Sequence, residues 1–301
     1  MRYVVAVPSY QRADVLVKNT LPMLRGLKPN MHTVCTVFAA NKTEAALYRR
    51  AMDAAGFPRV PVVTGVRGLS RQRRFIHEHY RAGTRIVNVD DDVTQLLEKH
   101  GNRLRPLRVS LDVLAERAFA LCDRHGARMW GICGCANGMF LKDTVTVGLR
   151  YLVGCFTGSH AGDPVFTDAG TPSSGEDYAR SIASYKRYGA VVRLNWVAPK
   201  TAYFADGGMQ SELGGKEQRA RDHTERLEAI ARRHPDCATA YTKAGGVTNL
   251  RLAVLTTEKI TKLSFMRQPT TGSARTPPRG RKSRGRKSRG RKSRAKAHIT
   301  T

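Results

Sequence analysis

No stretch of the 301 residues approaches the roughly 18 consecutive apolar positions that a membrane-spanning helix requires, so nothing in the sequence reads as a bilayer segment. No signal peptide is expected from the first residues either. The Val-rich run at residues 4–7 is short, leads straight into polar residues and is followed by no small-residue cleavage site, so a cytoplasmic location is expected (host cytoplasm if the source is viral). Cysteine is sparse and scattered. Of Cys35, Cys122, Cys133, Cys135, Cys155 and Cys237 only Cys133 and Cys135 lie close, and their one-residue gap suits neither a redox pair nor a zinc knuckle. Buried free thiols in a reducing compartment are the expectation. The corner after the first apolar run has no Gly-rich phosphate loop, which argues against an NTPase or a dinucleotide enzyme. Most telling is the lack of acid at one end: residues 267–301 hold no Asp or Glu but thirteen Lys or Arg.

What is present is positive charge. The net charge is +28, and outside residues 267–301 there remain 39 basic against 24 acidic residues. Both parts therefore call for a polyanionic partner, since neutralising phosphates releases condensed counterions. The C-terminal stretch carries three tandem GRKSR copies, starting at Gly280, Gly285 and Gly290, with Pro269, Pro277 and Pro278 leading into it. Gly every fifth residue with nothing apolar between cannot build a core, so residues 267–301 are expected to be a disordered tail on a domain of residues 1–266. Binding of DNA or RNA is the functional reading of that tail; a solubility or localisation appendage is the plain one. A monomer is expected.

The first hundred residues alternate two periodicities. β-branched runs at residues 2–8, 34–40, 60–65 and 85–89 read as strands, and residues 13–27, 43–55 and 70–80 as helices, the first with Leu16, Thr20 and Leu24 on one side. Strands alternating with helices imply a parallel, Rossmann-like sheet. The second half reads as further helices at 111–125, 176–189 and 217–233. Residues 129–141, 150–160 and 190–198 read as strands, extending one mixed, mostly parallel α/β sheet flanked by helices.

The sharpest local signal is Arg-Ile-Val-Asn-Val followed at once by Asp90, Asp91 and Asp92. Ligands of open α/β sheets bind beyond the carboxyl ends of the strands. Three adjacent carboxylates repel, and alternation along an extended segment sends Asp90 and Asp92 to one side. Mg2+ or Mn2+ bridging them to a diphosphate explains the pattern; a solvated turn is the plain alternative. The first strand ends in Pro8, Ser9 and Tyr10, then Arg12, offering a turn, a hydroxyl and an aromatic face for a nucleoside. Ser70 with Arg71, Arg73 and Arg74 opens a helix, where a diphosphate is well received. Glu176 and Asp177 follow Ser173, Ser174 and Gly175 at another helix start. Acids there often only complement the helix dipole, but one of them is also placed to take a proton from an acceptor hydroxyl.

In order and spacing, Pro8-Ser9-Tyr10 with Arg12, Arg71 to Arg73, Asp90 to Asp92, Trp130-Gly131-Ile132 with Asn137, Gly175-Glu176-Asp177-Tyr178 with Ser181, and Asp206-Gly207-Gly208 with Arg219 or Arg221 resemble the GT-A glycosyltransferases over roughly residues 1–240. More narrowly they resemble the DNA-base glycosyltransferases associated with TET/JBP-type hydroxylases, among them base J glucosyltransferase and phage relatives. The resemblance implies a GT-A fold, a UDP-sugar donor, a Mn2+ or Mg2+ ion, and the hydroxymethyl group of a modified pyrimidine in DNA (5-hydroxymethylcytosine) as acceptor. It implies inversion at the sugar, with Asp177 as general base supported by Glu176. The donor site would comprise Pro8, Ser9, Tyr10, Arg12, Arg71, Arg73, Asp90 and Asp91, and the metal would take Asp90, Asp92 and a late histidine, His223, with His160 and His234 as rivals. His77 and His79, two apart on a helix, cannot face one ligand. A bacteriophage enzyme that shields DNA from host restriction fits this picture. The residues themselves leave open a glycosyltransferase acting on protein or polysaccharide, a metal-dependent nuclease, and a non-enzymatic DNA-binding protein on a decayed transferase fold.

Overall fold

The computed structural model describes residues 3–29, 34–167, 175–201, 216–244 and 246–267, with backbone only for 216–220. Nine strands form the main sheet: β1 (Val4–Ser9), β2 (Cys35–Ala39), β3 (Val62–Thr64), β4 (Arg85–Val89), β7 (Trp130–Ile132), β8 (Thr144–Leu149), β9 (Phe156–His160), β10 (Val191–Leu194) and β14 (Leu255–Thr261). Their order is β14-β8-β10-β7-β9-β4-β1-β2-β3. β3, β2, β1 and β4 are parallel neighbours. β9 is antiparallel to both β4 and β7, β10 follows β7, and β8 opposes both β10 and β14. Seven strands thus point one way and only β8 and β9 the other: a mixed, mostly parallel sheet. A smaller antiparallel sheet has the order β11-β5-β6, from β5 (Val93–His100), β6 (Arg103–Pro106) and β11 (Val197–Thr201). β12 (Ala238–Thr242) and β13 (Thr248–Leu252) pair as a hairpin.

The helices are α1 (Ala13–Lys18), α2 (Thr20–Gly26), α3 (Lys42–Ala54), α4 (Leu69–His79), α5 (Leu111–Arg124), α6 (Pro164–Thr167), α7 (Glu176–Tyr188), α8 (Lys216–Arg233) and α9 (Lys262–Met266). β1 is buried at every position, as a central strand with helices on its faces must be. α3 starts where the Asn41 side chain accepts from Glu44 N, and it buries Ala45, Tyr48 and Met52 along one face. Ser110 caps α5 in the same way through Val113 N. The main core fills the space between the sheet and α1, α2, α3 and α5, and reaches Phe265 of α9. A second cluster joins Leu227 and Ile230 of α8 to Ile182 of α7, Leu149, and Leu250 of the hairpin.

Several expectations change. Of the segments 129–141 and 150–160 only β7 (Trp130–Ile132) and β9 (Phe156–His160) are strand, because the glycines and polar residues between them turn the chain. The helix foreseen over 13–27 is broken at Asn19, because Pro22 lacks an N–H and its ring excludes the carbonyl of Lys18 four residues earlier. Leu16, Thr20 and Leu24 are nonetheless all buried on one side. The strand foreseen over 190–198 is two, β10 and β11, in different sheets. They part at a turn where the Asn195 amide donates to Thr144 and Thr146 hydroxyls. Of the six thiols, all free, Cys135 is exposed rather than buried.

Candidate active site

β1 pairs with β4 from Val4 to Ala6, and the carboxyl ends of the two neighbouring strands bring Ser9 and Asp91 together. Asp90, Asp91 and Asp92 make the turn from β4 into β5 there. Thr20 fixes the turn from below, its hydroxyl donating to the carbonyls of Asp90 (2.8 Å) and Val93 (3.2 Å). Ser9 donates to Asp91 Oδ2 (2.5 Å) and shares a hydrogen bond with the Tyr48 hydroxyl, which in turn accepts from Arg12 N. Arg12 Nη1 lies 3.4 Å from Asp91 and 3.6 Å from Asp92. Gln11, at φ 53°, turns the chain between Tyr10 and Arg12 at a local strain cost.

Arg73 links this turn to α7. Its buried guanidinium donates to Asp90 Oδ1 (2.8 Å), to Glu176 Oε1 (2.7 Å) and to the Gly154 carbonyl (3.1 Å). Glu176 also receives Arg180 Nη1 (3.1 Å) and the Ser70 hydroxyl (3.1 Å), so its oxygens are fully engaged. Asp177 accepts from the Tyr151 hydroxyl and from Tyr178 N, and the Tyr151 ring stacks 4.3 Å from that of Tyr178. Gly154 sits among these groups. A Cβ there would lie 3.5 Å from Asp177 Cβ, 3.7 Å from Arg73 and 4.0 Å from Glu176. Gly175, which opens α7 at φ +74°, has Leu227 and Ile230 where its Cβ would be. Glycine is therefore required there by both backbone and space.

Five carboxylates (Asp90, Asp91, Asp92, Glu176, Asp177) thus meet three guanidiniums (Arg12, Arg73, Arg180). Burial pushes Asp91 up to about 7 and Asp92 up to about 6; their neighbouring aspartates add to this, while Arg12 opposes it. Burial also raises Asp90 and Asp177, against the pull of Arg73 and of the Tyr151 hydroxyl respectively. The Cys155 thiol is pushed well above its ordinary range by burial and by Asp90 and Asp92, so it stays protonated. The ionisable donors in this cluster are then carboxylate oxygens, short of positive charge by two, which fits a hard divalent cation. Among the described residues no three His, Cys, Asp or Glu side chains converge as a metal cage.

No protein-family model matches the chain, and no curated protein matches it. Among solved structures it is similar to the mannosyltransferase PcManGT of Pyrobaculum calidifontis in complex with GDP-Man and Mn2+. The TM-score is 0.52 at 15% identity, over 77% of this chain and 64% of that one. The fold is GT-A. TarS of S. aureus in complex with UDP-GlcNAc (TM-score 0.49, 18% identity, 77% of this chain and 66% of that one) is also similar. So is glucosyl-3-phosphoglycerate synthase of Mycobacterium tuberculosis with Mn2+ and UDP-Glc (0.48, 11%, 88% and 92%). The chain spans less than two thirds of the PcManGT and TarS chains.

Within this GT-A sheet the residues singled out from sequence fall into groups. Asp90, Asp91, Asp92, Arg12, Arg73, Glu176 and Asp177 come together. Pro8 and Ser9 are buried in β1, so Ser9 acts on Asp91 from within. Tyr10 is half-buried with the Arg67 guanidinium 5.4 Å over its ring, and Arg71 is exposed on the first turn of α4. His223 is half-buried on α8 and joins no three-ligand group; His160 lies in β9, bonded to the Arg128 carbonyl, and His234 follows α8. His77 is buried, bonded to the His160 carbonyl and Ser159, stacked on Phe166, and held neutral with its pKa lowered to about 3 by burial. Ser173, Ser174, Asp206, Gly207, Gly208 and the GRKSR repeats lie outside the described residues, as does the Arg219 side chain; Arg221 is exposed. Sequence reasoning missed Tyr151, Gly154, Cys155 and Arg180. The first three sit in a stretch read as strand, although Gly154 between Val153 and Cys155 marked a break. Arg180 stands four residues after Glu176, the spacing of a helical ion pair.

Proposed function

We propose that this chain is a metal-dependent, inverting glycosyltransferase. It moves a sugar from a UDP-sugar to the hydroxymethyl group of a modified pyrimidine, 5-hydroxymethylcytosine, in DNA. The observation that carries the reading is the single network Asp92–Arg12–Asp91 and Asp90–Arg73–Glu176, next to Asp177, at the carboxyl ends of β1 and β4. It sets a cation-demanding carboxylate pair beside a carboxylate suited to accept a proton. The GT-A fold adds support, as does the GDP-Man and Mn2+ complex of the similar mannosyltransferase PcManGT. A basic domain and a tail of thirteen cations support the polyanionic acceptor.

In this reading Asp90 and Asp92 would hold Mn2+ or Mg2+, which would supply charge neutralisation for the departing diphosphate. Arg71 on the first turn of α4 adds positive charge at a helix N-terminus. Tyr10, faced by Arg67, receives the nucleoside. Arg12 and Arg73 hold the three aspartates in place, so little reorganisation is needed when the donor arrives. Asp177 takes the proton of the hydroxymethyl oxygen as that oxygen bonds to the anomeric carbon and the bond from that carbon to the diphosphate breaks. Glu176, committed to Arg73, Arg180 and Ser70, positions the first turn of α7.

The test is nucleoside mass spectrometry after incubating hydroxymethylated and unmodified DNA with enzyme, Mn2+ and a panel of UDP-sugars. A hexose- or pentose-sized gain confined to the hydroxymethylated base is expected, and its loss in Asp90→Ala/Asp92→Ala by about a thousandfold or more. Undiminished transfer by that variant, or sugar appearing only on protein or polysaccharide, overturns the proposal.

A further inference from the structure

The segment from Cys133 to Asp143 leaves the carboxyl end of β7, which runs in the same direction as β1 and β4. Gly134 packs on Tyr151, where a Cβ would be 3.1 Å from the ring, so the segment begins against the residue that contacts Asp177. It then closes a tight turn: Phe140 N donates to the Asn137 carbonyl and Met139 N to Asn137 Oδ1. Gly138 is pressed on the β5–β6 turn, with room for no Cβ beside the Asn102 carbonyl (2.9 Å), and its own carbonyl accepts from Lys99 Nζ (3.2 Å). Leu141 is buried with Cys133 and Ala198. The turn is thus anchored on both sides, yet Met139 is 81% exposed and Phe140 65%. They are the most exposed residue and one of the three most exposed among the large hydrophobics described, and they are adjacent.

The surroundings are basic. Lys99 bonds the turn, His100 and Arg103 are exposed at the end of the β5–β6 hairpin, and Lys142 is exposed on the far side. Asp143 is the exposed acid beside them, while Glu98 is buried and paired with Arg105 and Lys262. Met139 lies five residue steps beyond Gly134, a reach of at most about 18 Å, or about five base steps. Two apolar side chains are too small an area for lasting membrane attachment. Held rigidly and ringed by cations, they suit stacked bases flanked by phosphates.

We propose that Met139 and Phe140 form a wedge that enters the base stack of duplex DNA near the target nucleotide, with Lys99, Arg103 and Lys142 on the adjoining phosphates. The proposal rests on the DNA-acceptor reading. Interactions gained by the wedge offset the unstacking needed to bring a base out to Asp177. Because both side chains are exposed, removing them leaves the core untouched.

The experiment compares the full-length parent, Met139→Ala/Phe140→Ala and Phe140→Trp on a hydroxymethylated duplex and on the same strand alone, with the UDP-sugar and Mn2+ that support transfer by the parent. A 2-aminopurine beside the target reports unstacking. The double variant is expected to lose about tenfold or more in kcat/KM on duplex and less than about twofold on the single strand, and to lose the 2-aminopurine signal; Phe140→Trp is expected to keep both. Equal losses on the two acceptors, or none, overturn the wedge while the acceptor reading stands. So does a change in oligomeric mass or in binding to phosphatidylserine vesicles with duplex rates intact. If the parent itself glycosylates neither DNA, the acceptor reading falls and the wedge falls with it.

Discussion

The Tyr151 hydroxyl and the Asp177 carboxylate show what one hydrogen bond does at such a site. Burial makes Asp177 harder to ionise, and the Tyr151 donor works against that. In Tyr151→Phe the carboxylate loses a donor to its charged form, so its pKa rises and the acidic limb of the pH–kcat/KM profile moves to higher pH. Transfer at pH 6 should fall by about tenfold and largely recover on the alkaline side, as a lost hydrogen bond to a charged group implies. A pH-independent loss would mean that Tyr151 only supports the fold. Asp92 argues in the opposite sense. Its folded pKa of about 6 exceeds the unfolded value near 3.8, so ionising it costs folding free energy above pH 6, and the cost vanishes below about pH 4. Asp92→Asn should therefore raise Tm at pH 7.5, by about 1–2 kcal/mol of stability, with no gain at pH 4, while disabling transfer. Thermal melts of parent and variant at the two pH values decide it. The aspartate triplet could be picked out in the sequence because repelling charges at a strand end need an explanation. Tyr151 could not, because an aromatic in an apolar run looks like packing until the fold carries it to Asp177, 26 residues on.

Elements were legible where one force dominates. Of the five strands in the first hundred residues β1 to β4 follow from β-branched runs, and most of the helices there from apolar periodicity. The second half resisted because its pairing is non-local: β8 lies between β10 and β14, which come more than forty and a hundred residues later. β5 alternates weakly because it belongs to the small sheet. The crossing of β7 and β9 illustrates a constraint invisible in periodicity. Trp130 opposes Gly158, and a Cβ on Gly158 would sit 1.9 Å from the Trp130 indole nitrogen. Gly158→Ala must displace a fully buried tryptophan at the centre of the sheet, an overpacking cost of about 1–3 kcal/mol or more. Urea unfolding should show a lower midpoint with an unchanged m-value; a midpoint equal to the parent's would mean that the indole has free space to move.

The charge of the molecule is divided unequally, and the proposed function assigns chemistry to the domain and retention on DNA to the basic C-terminal residues. On the proposed reading the carboxylate network takes a cation and a small donor, whereas the GRKSR repeats are assigned to the polymer. Phe265 of α9 is buried against Trp196, and the Arg267 N–H bonds the Leu263 carbonyl, so a truncation after Arg267 keeps these contacts of α9. It removes twelve cations. Each phosphate contact contributes about 0.9 to the slope of log affinity against log salt on duplex DNA. The truncated enzyme should therefore bind hydroxymethylated duplex more weakly at low salt and with a shallower slope, while hydrolysing UDP-sugar at the parental rate. Transfer to DNA should converge with that of the parent as salt is raised, because screening removes from the parent what truncation has already taken. Fluorescence anisotropy at several salt concentrations measures this, and a slope identical to the parent's would assign duplex retention to the domain's own basic surface and leave the GRKSR repeats without that role.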